Sequence, residues 1–160
     1  MRVVVYTDGS SRGNPGPGGY GAILMTEKGH KKHLSEGFRK TTNNRMELLS
    51  VIKALEALKR PCDVLIFSDS KYVVDAVEKG WVFGWAKKGF AKKKNPDLWR
   101  RYLNVAQRHK VKFEWVKGHN GNEYNEKCDR LAVSAATREN LPPDEGYENE
   151  DEQAGFFTAD

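Results

Sequence analysis

The chain has 160 residues, of which 38% are hydrophobic, which is enough for one domain with its own core. It contains no apolar run near the ~18 residues that a membrane span needs. Its two cysteines and the lack of a secretory signal at the N-terminus exclude a disulfide-stapled secreted protein, so we expect a cytoplasmic protein with no membrane association. All 27 Lys and Arg lie at or before Arg138, so residues 1–138 carry a net charge of +13 and residues 139–160 carry −8. Such a basic region favours a polyanionic partner, although a solvated basic surface would also account for the charge.

The first part of the chain predicts three strands and a long helix. An apolar run at 3–7 indicates the first strand, and two further strands follow at 20–29 and 33–40. The pattern then changes to helical spacing over 43–60, where apolar residues recur on one side, and Pro61 ends the helix.

The second part of the chain predicts strands that alternate with helices. Asn95 is a possible helix cap, because Pro96 follows it at the first helical position. The predicted elements are a strand at 62–70, helices at 71–80 and 95–110, a strand at 111–118 and a helix at 122–140.

This order predicts an α/β fold built on one five-stranded mixed sheet with helices on its faces. Three consecutive strands favour antiparallel pairing, and the two later strands, which helices separate, favour parallel pairing. We expect one domain over residues 1–140. The acidic composition of 141–160 predicts a disordered tail.

Two carboxylates follow apolar strands at matching positions. Asp8 comes directly after 3–7, and Asp69 comes after 64–68. If both strands are central and parallel, the two side chains lie side by side at the edge where such sheets bind ligands. Each Asp alone could simply begin a turn. As a pair they would repel each other unless a cation lay between them, so the pair favours a divalent metal site.

Two further acids have weaker positions. Glu47 lies near the start of the predicted long helix and could point over the sheet, but Asn44 and Glu47 also fit a capping box. Asp129 lies beside the apolar stripe of the last helix, where Lys127 and Arg130 flank it as partners for a surface ion pair. From the residues alone, both interpretations of both acids stay open.

The stretch 9–21 is rich in glycine and suggests a backbone that turns sharply close to a ligand. It is not a phosphate-binding P-loop, because no Gly-Lys-Ser/Thr follows, nor a dinucleotide fingerprint, because a strand comes next. An EF-hand is excluded because Arg12 stands at a ligand position. The stretch 9–21 remains consistent with a loop that approaches a nucleic-acid backbone beside a metal.

Five motifs follow one another along the chain: "YTDGSSRGNPGPGGYGAIL", "TTNNRMEL", "FSDSKYV", "NPDLW" and "WVKGHNGNEYNEKCDRLA". In this order and at this spacing they resemble bacterial type 1 ribonuclease H, over residues 1–147. The resemblance implies a ribonuclease H-like fold and endonucleolytic hydrolysis of the RNA strand of RNA–DNA hybrids without sequence specificity, leaving 5′-phosphate and 3′-hydroxyl ends. It also implies four acids that hold two Mg²⁺ ions, with Mn²⁺ as a possible substitute: Asp8, Glu47, Asp69 and Asp129.

The resemblance also gives roles to residues that composition alone would leave on the surface. His119, which glycines flank, would be an auxiliary catalytic residue that moves a proton or helps product leave. Asn14, Asn43 and Asn44 would bond to base edges and to the ribose 2′-hydroxyl, although turns and caps also use such residues. Lys71 stands where the family often has Gln, so a phosphate contact replaces an amide there.

The segment at about 80–95 interleaves aromatic and basic residues and resembles the basic protrusion with which the family grips the DNA strand. We expect its lysines to bind phosphates and its aromatic rings to pack against sugars, unless the tryptophans all belong to the core. Its candidate contact residues are Trp81, Trp85, Lys87, Lys88, Lys92, Lys93, Lys94 and Asn95.

The sequence thus predicts a monomeric, metal-dependent ribonuclease H. Two alternatives remain: a module that binds hybrids without cleaving them, and another nuclease of the same fold, such as a junction resolvase or an integrase. The four acids argue against the first alternative, and the basic segment argues against the second.

Overall fold

The computed structural model describes residues 1–118 and 120–150. Its centre is one five-stranded sheet in the order β3-β2-β1-β4-β5. β1 pairs antiparallel with β2, and β2 with β3; β1 pairs parallel with β4, and β4 with β5, which confirms the predicted sheet. The strands are β1 (Arg2–Ser11), β2 (Gly16–Thr26), β3 (Lys31–Thr41), β4 (Asp63–Ser68) and β5 (Lys110–Trp115).

Among the described residues between 43 and 136, four of the five helices match predicted ones, and the third was not predicted. They are α1 (Asn43–Glu56), α2 (Lys71–Glu78), α3 (Trp81–Lys87), α4 (Pro96–Ala106) and α5 (Glu123–Ala136). Within the described residues, no helix has the length and apolar character required to cross a membrane.

The main core lies between the sheet and α1, α2 and α4. Alternate residues of the two central parallel strands point into it, as the period of two in a strand requires: Val3, Val5, Val64 and Ile66. α5 lies on the opposite face, where Tyr124 packs against the ring of Tyr6 at 5.3 Å between centroids. Helices therefore pack on both faces of β1.

The glycine-rich stretch 9–21 is mostly strand rather than loop. Most of its glycines therefore do not have the predicted role of bringing the backbone close to a ligand. Gly19 and Gly21 lie within β2, beneath α5. A Cβ at Gly19 would overlap the backbone of Ala132, and one at Gly21 would overlap the backbone of Cys128. These glycines lack side chains because the helix rests directly on the strand.

Residues 141–150 differ from the disordered tail that their composition predicts. Asp144 is buried, and its carboxylate accepts hydrogen bonds from Thr41 Oγ1 at 2.6 Å and from Arg45 Nε at 2.8 Å. The backbone of Arg39 donates to Pro142 at 2.9 Å, and residues 145–150 are helical. One acid of the segment has a buried cationic partner, and this anchors the residues around it. Residues 151–160 lie outside the described part of the chain.

Arg45 joins the C-terminal segment to the rest of the fold. Its guanidinium is buried and also donates two hydrogen bonds to Asp97, at 2.8 and 2.7 Å, and one to Asn95 at 3.3 Å. Burial alone would lower the pKa of Arg45, but its hydrogen bonds to Asp97 and Asp144 raise it overall. The ion pairs thus keep a buried cation charged between α1, α4 and the C-terminal segment.

Candidate metal centre

Three carboxylates meet at the carboxyl end of the central strands. Asp8 lies near the end of β1, Asp69 directly follows β4, and Glu47 lies in the second turn of α1. One oxygen from each side chain lies within 4.8 Å of the others. The parallel register that aligns Tyr6 with Phe67 brings Asp8 beside Asp69, as the sequence pattern predicted.

Glu47 reaches this cluster because α1 begins earlier than a capping box would require. The cap is Thr42, whose side chain accepts from the Arg45 backbone at 3.2 Å, so the capping-box interpretation of Asn44 and Glu47 is wrong. Gly9 lies beneath this first part of α1, and a Cβ there would overlap the backbone at Glu47. The missing side chain lets α1 lie against β1 and places Glu47 over Asp8.

Burial makes this cluster costly to ionise without a counter-charge. Burial and the charges of Asp69 and Asp129 raise the pKa of Asp8 to about 8, although its hydrogen bond with Glu47 opposes the shift. Burial, followed by repulsion from Asp8 and Asp69, raises the pKa of Glu47 well above its usual range. Oε2 of Glu47 is buried and has no hydrogen-bond partner among the described residues. An all-oxygen donor set with an unsatisfied buried carboxylate fits a hard divalent cation.

Asp129 lies on α5 at the edge of the same cleft and is less buried than Asp8 and Glu47. It does not belong to the group of three within 4.8 Å, but its negative charge contributes to the raised pKa of Asp8. The cleft has a volume of about 430 Å³ and is open on one side to solvent. All four predicted acids therefore line one cavity.

Several predicted nucleic-acid contacts surround this cleft. Asn43, Asn44 and Lys71 line it. Asn14 is exposed, and its Oδ1 accepts from the Asn43 backbone at 3.1 Å, which ties the β1–β2 connection to α1. The side chain of Asn14 thus holds its loop beside Asn43, a residue that lines the cleft.

Trp115, at the end of β5, belongs to the same rim and was not singled out from the sequence. Its ring is 42% exposed, and its Nε1 donates to the backbone oxygen of Asp69 at 3.0 Å. The Lys71 ammonium lies 4.8 Å from the centre of the ring. Strand alternation predicted β5 but gave no sign that its last side chain would lie beside the acids.

The basic segment is a short helix followed by turns. Lys93 lies 5.0 Å from the centre of the Trp85 ring, which packs edge-on against the fully buried Trp99. Trp81 is 48% exposed. The solvent-exposed lysines of the segment are Lys87, Lys88, Lys92, Lys93 and Lys94.

Asn95 does not take the exposed position that a nucleic-acid contact would require. It is buried at the start of α4, where its Oδ1 accepts from Arg45 and its Nδ2 donates to Tyr72 Oη at 3.1 Å. Its side chain makes no capping hydrogen bond to α4. The amide therefore joins the basic segment to the Arg45 network. His119, the predicted auxiliary residue, lies outside the described part of the chain.

The pKa of Asp8 predicts how pH affects the metal-free protein. Folding favours the neutral carboxyl, so Asp8 contributes stability that is present below its unfolded pKa of 3.8 and is lost as the pH rises through about 8. In EDTA, Asp8→Asn should therefore gain melting temperature relative to the wild type between about pH 5.5 and about pH 8, by roughly 2–4 °C for each 1 kcal/mol. Asp63→Asn, which removes an exposed acid of β4, is the control; an equal gain in that variant would contradict the assignment.

The sheet order, the helices on both faces and the acids at the ends of the central strands define a ribonuclease H-like protein. The structure resembles that of LC9-RNase H1, described as a type 1 RNase H with the type 2 active-site motif, with a TM-score of 0.76 and 36% identity over 84% of this chain and 72% of that one. It also resembles LC11-RNase H1 in complex with an RNA/DNA hybrid, with a TM-score of 0.65 and 27% identity over 84% and 96% of the two chains.

The chain belongs to the ribonuclease H family, whose model matches residues 1–137. It is 56% identical to ribonuclease H of Desulforamulus reducens, over 89% of this chain and 92% of that protein. It is 48% identical to ribonuclease HI of Synechocystis sp., over 91% and 94%. The family predicted from the five motifs is thereby confirmed.

Proposed function

We propose that this protein is a metal-dependent endoribonuclease that hydrolyses the RNA strand of RNA–DNA hybrids without sequence specificity. The observation that carries the proposal is the cluster of the buried Asp8 and Glu47 with the half-buried Asp69, which is unfavourable as a purely structural feature. A module that only bound hybrids would have no use for it. Relatives named ribonuclease H, at 56% and 51% identity, support the same activity.

Asp8, Glu47, Asp69 and Asp129 would hold the metal, which we take to be Mg²⁺, two ions in the presence of substrate, with Mn²⁺ as a substitute. Carboxylate oxygens are the ligands that these hard cations prefer. When bound, the ions supply Lewis-acid stabilisation of phosphate charge and an acidified water, so that 5′-phosphate and 3′-hydroxyl ends result. No side chain needs to act as a nucleophile.

The residues around the cleft would hold the hybrid. Asn43 and Asn44 offer amides of the kind that bond to base edges and to a ribose 2′-hydroxyl, the group that distinguishes RNA from DNA. Lys71 would contact a phosphate, and the exposed ring of Trp115 would pack against the strand. His119 keeps its predicted role in moving a proton or in product release.

The exposed lysines of the basic segment would supply affinity rather than chemistry, because they lie on α3 and the turns that follow it and do not line the acidic cleft. We expect a monomer that works in the cytoplasm. Its free cysteines, Cys62 and Cys128, are both buried, which suits a reducing compartment.

The direct test of the activity uses a hybrid whose RNA strand carries a label. Incubation with Mg²⁺ should cleave only the RNA strand, at many positions, and EDTA should prevent cleavage. A duplex of DNA alone should remain intact. Binding of the hybrid without any cleavage in Mg²⁺ or Mn²⁺ would favour the non-catalytic alternative.

Replacing the five exposed lysines at 87, 88, 92, 93 and 94 with Ala should weaken binding of the hybrid far more than it lowers the turnover number. For every phosphate that a lysine no longer neutralises, the slope of log affinity against log salt concentration should become shallower by about 0.7–0.9. Titration of a labelled hybrid at several salt concentrations measures the slope. If the slope does not change, these lysines face solvent and do not contact the phosphates.

A further inference from the structure

The acidic C-terminal segment ends its described part beside the surface that we propose for the hybrid. Asp144 fixes the segment to Arg45, and the helical residues 145–150 continue from that anchor. Tyr147 and Glu150 line a cavity of about 360 Å³. A buried ion pair thus determines where these two side chains lie.

The other walls of this cavity suit a nucleic-acid backbone. They include the amides of Asn14 and Asn44, the hydroxyl of Thr42 and the ammonium of Lys94, all of which can donate hydrogen bonds to phosphate. Asn44 also lines the cleft that holds the acids, so the two depressions adjoin. Among the described residues that line the cavity, Glu150 is the one acid.

We propose that Glu150 is an affinity determinant that competes with the hybrid's phosphates for this cavity. The inference rests on the proposed function, since it concerns the same substrate. Glu150 and Lys94 line the same cavity, so without nucleic acid the carboxylate lowers the net positive charge there. When a strand enters, the carboxylate repels the phosphates and must turn away, which weakens binding and hastens release. The segment would therefore adjust affinity and take no part in the chemistry.

The charge pattern of the whole chain agrees with this role. Every Lys and Arg lies at or before Arg138, whereas eight acids follow it. Glu148 already pairs with Arg39 at 3.1 Å, on the strand that leads to α1. Two acids of this segment, Asp144 and Glu148, are thus paired with basic residues of the preceding fold.

The test uses single charge changes, because removing the segment would also remove Asp144, the buried carboxylate that pairs with Arg45. Glu150→Gln keeps the size of the side chain and removes its charge. Glu145→Gln is the matched control, since Glu145 is exposed in the same segment but does not line the cavity. Both variants receive a labelled RNA–DNA hybrid, in EDTA for the dissociation constant and in Mg²⁺ for KM and kcat.

At low salt, Glu150→Gln should bind the hybrid about two- to fivefold more tightly, with a matching fall in KM and no rise in kcat. The gain should vanish near 0.5 M salt, where the Debye length falls to roughly 4 Å. Glu145→Gln should change either constant much less. Equal effects of the two variants, or no effect of Glu150→Gln, would overturn the inference. A wild-type protein that binds the hybrid but never cleaves it would instead overturn the proposed function.

Discussion

Replacing Asp69 with Asn should lower Mg²⁺-dependent cleavage of the hybrid by roughly 10³-fold or more, because the metal contribution to transition-state charge is worth several kcal/mol. Asp8→Asn should behave in the same way. Both side chains belong to the cluster within 4.8 Å, and an amide is a far poorer ligand for a divalent cation than a carboxylate. Cleavage rates at saturating hybrid measure the effect.

Binding of the hybrid should survive these substitutions, since the lysines and amides that would hold the strand are unchanged. Asp75→Asn is a suitable control because it removes an acid of α2 that pairs with Lys79 and does not line the cleft. That variant should retain nearly full activity. Substantial Mg²⁺-dependent cleavage by Asp69→Asn would refute the proposed metal site. If the melting curve shows that Asp69→Asn does not fold, the comparison is made with Asp8→Asn instead.

Arg45→Met should lower the free energy of unfolding by about 3–5 kcal/mol, the usual cost of leaving a buried charge without its partner. The substitution leaves the carboxylate of Asp144 buried with Thr41 as its remaining side-chain hydrogen-bond donor. Asp97 is about 39% exposed and can be hydrated in place of its ion pair. For a chain of this size, the melting temperature should fall by about 6–20 °C.

Two further variants separate the buried charge from other causes. Arg39→Met removes the exposed ion pair with Glu148 in the same C-terminal segment and should have a much smaller effect. Adding Asp144→Asn to Arg45→Met should recover part of the missing stability, because the unpaired charge is then gone. If Arg39→Met is as damaging as Arg45→Met, burial is not the reason for the effect.

The sheet and most of its helices could be predicted because their signals are local. Alternating or continuous apolar runs mark the strands, and the repeat that includes Met46 and Ile52 marks α1. α3 was missed because its sequence, Trp81–Lys87, has aromatic and small residues in no helical repeat and begins after Gly80 in a left-handed conformation. Its helix depends on packing against the core, which no short window shows.

The four acids of the cleft also divide into those with a local sequence signal and those whose position depends on packing. Asp8 and Asp69 could be predicted from the residues, because a position directly after a buried parallel strand fixes a side chain at one edge of the sheet. Glu47 and Asp129 needed the family resemblance, since the direction in which a helical side chain points depends on how the whole helix lies on the sheet. Asp144 was misjudged because its partner, Arg45, is 99 residues away in the sequence.

The glycines under α5 determine how firmly the fourth acid is held. At Gly19, Gly21 and Gly37 the helix rests on the main chain of β2 and β3, with no layer of side chains between them. Side chains in an ordinary interface can change rotamer and let a helix shift by fractions of an ångström, but a backbone has no such freedom. Gly21 of β2 pairs with Asp8 of β1, so the height of Asp129 above the sheet is coupled through β2 to the strand that carries Asp8. Thermal motion should therefore move these two acids together rather than apart.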